Sequence, residues 1–162
     1  MNLISALMKI IRDPTLTRHH TEVVKAVTFI FKALGIKSVP YIAQVIPSML
    51  NVIRASEDNF RDFLFQQLGG LIAIVRQHVR NYLDSIFDLI MEFWSVDSPL
   101  QPTIILLVEN ISIALGKYFL NLKPKYKSPV KGCQGCQLIP LEFWRLAQLN
   151  PIFSLPIGQK ID

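Results

Sequence analysis

Apolar residues recur at three- and four-residue steps through the first 117 positions, and no stretch alternates with period two for long. That pattern predicts helices throughout. "NLISALMKIIRD" stops at Asp13-Pro14, because the residue before a proline avoids the α region. Thr21 is expected to N-cap "EVVKAVTFIFKALG", with Gly35 as its stop. Ser38 is expected to cap "YIAQVIPSMLNVIRAS", with Pro40 in the first turn and Pro47 bending the interior. "EDNFRDFLFQQLGGLIAIVRQH" and "VRNYLDSIFDLIMEFWSV" follow. Ser98-Pro99 and Pro102 then open "TIILLVENISIALGK", closed by Gly116.

The helix around "FLFQQLGGLIAIV" is apolar over an arc of roughly 200° at 100° per residue, about twice what a one-sided surface helix needs. Such a helix must touch neighbours on two sides while one strip stays wet. Gln66 belongs to that strip. Gln67 and Arg61 fall inside the apolar arc, and Gln67 is expected to bond a neighbouring loop or helix end. Gly69 and Gly70 each cost about 1 kcal/mol relative to alanine, so a close backbone approach or a bend should offset them.

The helices also repeat. Shifting the chain by 41 residues superposes Tyr41 on Tyr82, Ile42 on Leu83, Val45 on Ile86, Ile46 on Phe87, Met49 on Ile90, Val52 on Phe93 and Ile53 on Trp94. "ALG" at 33–35 returns at 114–116. Helix pairs with a period of about 40–47 residues are the mark of HEAT and armadillo arrays. The expected fold is all-α: an α-solenoid fragment of antiparallel helix pairs over residues 1–119. Residues 120–162 form a divergent tail rich in proline and lysine, expected to be mostly irregular, which fits an alternative exon or a gene-model error better than a second domain.

Composition and charge refine this picture. The chain is 51% hydrophobic and 18% charged, yet no uncharged window reaches the roughly 20 residues of a membrane span. Residues 1–122 carry 11 Lys and Arg against 10 Asp and Glu, whereas residues 123–162 carry 6 against 2. Basicity concentrated in the tail gives a nucleic-acid role for the helical body little support. The first 132 residues contain no cysteine, so no disulfide framework holds them.

Several blocks carry a family resemblance. "TFIFK" (28–32), "LNVIR" (50–54), "FLFQQLG" (63–69), "EFW" (92–94), "TIILL" (103–107) and the continuous "RDPTLTRHHTEVVKAVTFIFKALG" (12–35) closely resemble the central HEAT-repeat region of the target of rapamycin (TOR) kinase family. The resemblance covers about residues 5–119, without an evident gap. It implies a non-catalytic scaffold segment of a very large serine/threonine protein kinase that acts in nutrient and growth signalling. The partners implied are protein ones: the rest of the TOR chain, raptor-like subunits or a second TOR copy. No small-molecule substrate, nucleic acid, membrane span or cofactor is expected. A cytoplasmic location is expected, at an endomembrane or lysosomal surface through the parent complex.

No catalytic, cofactor or metal residue is assigned. The chain has no Gly-rich nucleotide loop, no His-Arg-Asp catalytic loop and no Asp-Phe-Gly, so an enzyme is not expected. Cys133-Gln-Gly-Cys136 has zinc-knuckle spacing, but a structural zinc needs four ligands and the three histidines, His19, His20 and His78, belong to the body. His19 and His20 are expected on a loop and His78 at a helix junction, all structural or solvated. Asp84, Asp88 and Glu92 form an acidic ridge, most simply a solvated face. Lys123, Lys125, Lys127 and Lys131 around Tyr126 support the competing reading, a small nucleic-acid- or metal-binding module acting through the tail.

Overall fold

The computed structural model describes residues 3–95, 98–116 and 118–119. Within them the chain forms six α-helices: α1 (Leu3–Arg12), α2 (Thr17–Leu34), α3 (Ile42–Ala55), α4 (Asp58–Val75), α5 (Leu83–Phe93) and α6 (Gln101–Leu115). Short 3-10 turns, Pro14–Leu16, Gly35–Tyr41 and Arg76–Tyr82, join α1 to α2, α2 to α3 and α4 to α5. There is no strand among the described residues, so the fold is all-α, as its periodicity predicts.

The helices stack in two layers. α1, α3 and α5 pack in sequence to form one layer, and α2, α4 and α6 form the other. α2 and α4 are both 18 residues long and start 41 residues apart, and each is followed by a seven-residue 3-10 turn. Of the superposed pairs, Ile42/Leu83, Val45/Ile86, Ile46/Phe87, Met49/Ile90 and Ile53/Trp94 are buried together, and Val52 and Phe93 are both half-buried. A HEAT-type solenoid fragment is therefore what the 41-residue period encodes. One continuous core runs between the layers, from Ile4, Met8 and Ile11 through Phe31, Ile46 and Phe65 to Phe87 and Ile111.

Several local expectations are corrected. α2 starts a turn earlier than Thr21, at Thr17, because Asp13 caps the Pro14–Leu16 turn by accepting from the Thr15 amide at 2.9 Å. His19 and His20 are consequently helical rather than on a loop. Ser38 caps nothing: it is fully buried in the 3-10 turn and donates its hydroxyl to Gly35 O at 2.7 Å. α4 ends at Val75, and α5 starts at Leu83 rather than at Val79, because the backbone turns at Arg76. Gly35, Arg76 and Gly116 each end a helix of the second layer with φ between 51 and 53°. Only glycine takes that conformation cheaply, and Arg76 is the non-glycine among them.

The two glycines of α4 separate. A Cβ on Gly69 would stand 3.0 Å from Asn110 Nδ2, so Gly69 makes room for side chains of α6 rather than for the close backbone approach expected. Gly70 would meet nothing within 4 Å. Gln66 lies on the wet strip and donates to Asp62 Oδ2 at 2.9 Å, whereas Gln67 makes no side-chain hydrogen bond among the described residues, contrary to expectation. The stretch Pro14–Ala55 has the length and apolarity to cross a membrane. Its turn at Gly35 divides it into two elements that take their places in different layers.

Candidate interaction surfaces

Polar side chains in a solenoid have two tasks: closing helix ends and facing partners. The first task accounts for the unusual ones here. The last carbonyls of a helix lack intrahelical donors and carry partial negative charge. His20, buried on α2, places Nε2 at 3.1 Å from Ile10 O and 2.9 Å from Asp13 O. Carbonyls only accept, so Nε2 carries the hydrogen and His20 closes the end of α1. Arg61, 41 residues later on α4, does the same for α3. Its Nε donates to Ile53 O at 3.0 Å, Nη2 donates to Ser56 O, and Nη1 pairs with Asp58. The guanidinium also lies 4.2 Å over the Phe93 ring, which stands edge-on to Phe65. This is why an arginine sits inside the apolar arc of α4.

Further polar pairs stitch each layer. Ser5 Oγ donates to Gln44 Oε1 at 3.1 Å, and Arg12 donates to Ser48 Oγ through Nε and Nη2 at 3.0 and 2.8 Å, tying α1 to α3. Arg54 Nε reaches Glu92 Oε2 at 2.8 Å between α3 and α5, and Thr103 donates to Asp62 between α6 and α4. A groove of about 700 Å³ opens where the ends of α1 to α4 meet, lined by Ile11, Arg12, His20, Asn51, Val52 and Phe60 among others. Its Arg12 and His20 are already engaged in the contacts above, so they converge on no reacting atom.

The predicted chemical candidates do not come together. His19 and His78 are exposed on different elements, and His20 is buried. Asp84, Asp88 and Glu92 do form an exposed ridge along α5, and Glu92 is held by Arg54. Among the described residues no group of three or more His, Cys, Asp or Glu is placed to hold a metal ion. Cys133, Cys136 and the tail lysines lie outside the described residues. Asp13 is a perturbed carboxyl: hydrogen bonds from the Thr15 hydroxyl and then its amide hold it below its ordinary value of 3.8.

The outer face of the α2–α4–α6 layer, which sequence reasoning passed over, exposes large apolar side chains. Phe29 is 72% exposed there, with Leu34 and Ile36 beyond it and Leu106 and Ile113 on α6. The signal was available: Phe29 lies opposite the stripe of Val23, Val27 and Phe31 that α2 buries. What these surfaces offer is contact area and charge, the chemistry of association.

Comparison with known proteins places this architecture. The family model described as "Serine/threonine-protein kinase mTOR domain" matches residues 1–76. Serine/threonine-protein kinase mTor of Drosophila melanogaster is 56% identical over 116 residues, 72% of this chain and 5% of that protein. TOR2 of Saccharomyces cerevisiae is 42% identical over 123 residues, 76% of this chain, and TOR of Arabidopsis thaliana 37% over 128 residues, 75% of this chain. The chain spans about 5% of the length of each of these relatives. With a two-layer helical repeat and identity of this extent across animal, fungal and plant proteins, the chain belongs to the family of TOR serine/threonine-protein kinases.

Proposed function

We propose that this chain is a non-catalytic scaffold segment of a TOR-type kinase, serving complex assembly in growth signalling through protein–protein contacts. The observation that carries the reading is how the polar groups are spent. His20, Arg61, Arg12 and Thr103 hold helices to one another, and the exposed remainder consists of apolar and charged surface rather than a reactive cluster. Its partners are the rest of the TOR chain, raptor-like subunits or a second TOR copy, at a cytoplasmic site that includes endomembrane surfaces. The test is a chimaera in which residues 3–119 replace the matching segment of yeast TOR2. Substitutions on the outer face should impair assembly of the complex while leaving phosphotransfer to a short peptide unchanged. Loss of peptide phosphorylation with assembly intact would overturn the reading.

A further inference from the structure

The outer face of the α2–α4–α6 layer is uneven in a way that folding does not require. Gly70, half-buried, lies at the edge of the exposed arc of α4 beside exposed Gln66 and Ala73, and a glycine in a helix costs about 1 kcal/mol relative to alanine. Gly69 has a structural reason, the approach of Asn110 at 3.0 Å; Gly70 has none within 4 Å. One repeat earlier the equivalent residue is Phe29, the most exposed of the large apolar side chains. Lys25 and Lys32 stand one turn to either side of it on the same face. The layer therefore rises to a crest on α2, drops on α4 to Gly70, exposed Ala73 and exposed Gln66, which is held along its own helix by Asp62, and rises again to Leu106 and Ile113 on α6. Packed helix axes are about 8–10 Å apart, so the two crests stand about 16–20 Å apart. That is room for one more helix, about 10–12 Å across with its side chains.

We infer that this trough receives an amphipathic helix of a partner protein, its apolar face on Phe29 and over Gly70 and its acidic flank along Lys25 and Lys32. The inference deepens the scaffold reading and rests on it. Charge orients the occupant, since exposed Glu109 stands on the α6 side and the basic residues stand on α2. The exposed side of α2 carries Arg18, Lys25 and Lys32, with Lys37 just beyond, against Glu22 alone, which pairs with Lys25 at 2.9 Å. The tail of this chain is excluded by sign, since residues 123–162 carry 6 Lys and Arg against 2 Asp and Glu. A second copy offers the acidic ridge of α5, but the apolar residues of that helix, among them Ile86, Phe87 and Ile90, are buried in its own core. The glycine supplies close approach: a Cβ on Gly70 would meet nothing within 4 Å, so an incoming side chain can lie directly on α4 there, as Asn110 does at Gly69.

The experiment measures, by fluorescence anisotropy with the full 162-residue chain, a stapled amphipathic peptide of leucines with a glutamate flank, and its twin with lysine in place of glutamate. The glutamate peptide should bind at least about tenfold more tightly than its twin. Gly70→Leu, which fills the floor, should weaken binding about tenfold while the thermal melt stays unchanged or rises. Phe29→Ser should weaken it similarly, and covers the case in which Gly70→Leu disturbs the fold. Equal binding of the two peptides, or full binding by both variants, overturns the inference. So does Phe29-dependent retention on phosphatidylserine vesicles without any preference between the peptides, which would make the face a lipid contact. Assembly of the chimaeric kinase is scored separately, so the scaffold reading and the trough can fall independently.

Discussion

The two full repeats, α2–α3 and α4–α5, share an 18-residue first helix, a seven-residue turn and a burial pattern, yet differ at helix ends and on the outer face. The end of the preceding helix is closed by His20 in the first and by Arg61 in the second. The helix stop is Gly35 in one and Arg76 in the other, both with φ near 50°. The outer face shows Phe29 in one and Gly70 in the other. Core positions admit only apolar residues of fitting volume, so they repeat in kind. A helix end asks only for a donor within reach, and histidine or arginine serves. A positive-φ stop asks for glycine, but one turn's strain of about 1–3 kcal/mol is tolerable inside a packed array.

The equivalence of the two clasps is the first thing to break. Arg61→Ala removes the side-chain donors of Ile53 O and of Ser56 O at the end of α3, leaves Ile53 O only the Ser56 amide at 3.4 Å, and uncovers Phe93; it should cost about 2–4 kcal/mol in urea unfolding. His20→Ala should cost about 1–2 kcal/mol, having one donor shared between two carbonyls. A larger cost for His20 than for Arg61 would refute the ranking. The two stops should respond in opposite directions. Gly35→Ala forces a side chain into positive φ and should destabilise by about 1–2 kcal/mol, whereas Arg76→Gly should stabilise by about 0.5–1 kcal/mol. Equal signs would show that φ is not what limits this turn. Next come the adjacent glycines. Gly70→Ala should gain up to about 1 kcal/mol of helix propensity, and Gly69→Ala should gain less because Asn110 must move aside. The smallest effect is at Asp13. Its carboxyl is held below the ordinary value, so its contribution is present at neutral pH and is lost as pH falls through the folded value, below 3.8. Wild type should be more stable than Asp13→Asn at neutral pH, and that advantage should disappear as acid titration passes below 3.8. An advantage that persists unchanged in acid would contradict the capping role.

Much of the fold was legible because the buried face of each helix is written at three- and four-residue steps. The 41-residue superposition of Ile46 on Phe87 and Met49 on Ile90 anticipates burial at both positions of each pair. Helix starts were less legible. Thr21 and Ser38 have capping side chains, but a 3-10 turn capped by Asp13 displaces the first, and burial against Gly35 O claims the second. Arg61 announced itself as the misfit in an apolar arc, though its partners belong to the end of another helix and no local pattern names them. His20 gave no such signal, since a histidine beside another histidine before an apolar stripe reads equally well as solvated loop.

The sequence by itself determined the helices, their period and the family, because each follows from residue spacing along one chain: apolar periodicity, proline and glycine stops, and blocks shared with TOR kinases. Only the tertiary structure decided which of two adjacent glycines meets a neighbour and which opens outward, and which polar residues close helix ends. Those outcomes depend on distances between elements tens of residues apart. Such distances are set by the packing of whole layers, not by the identity of any one residue.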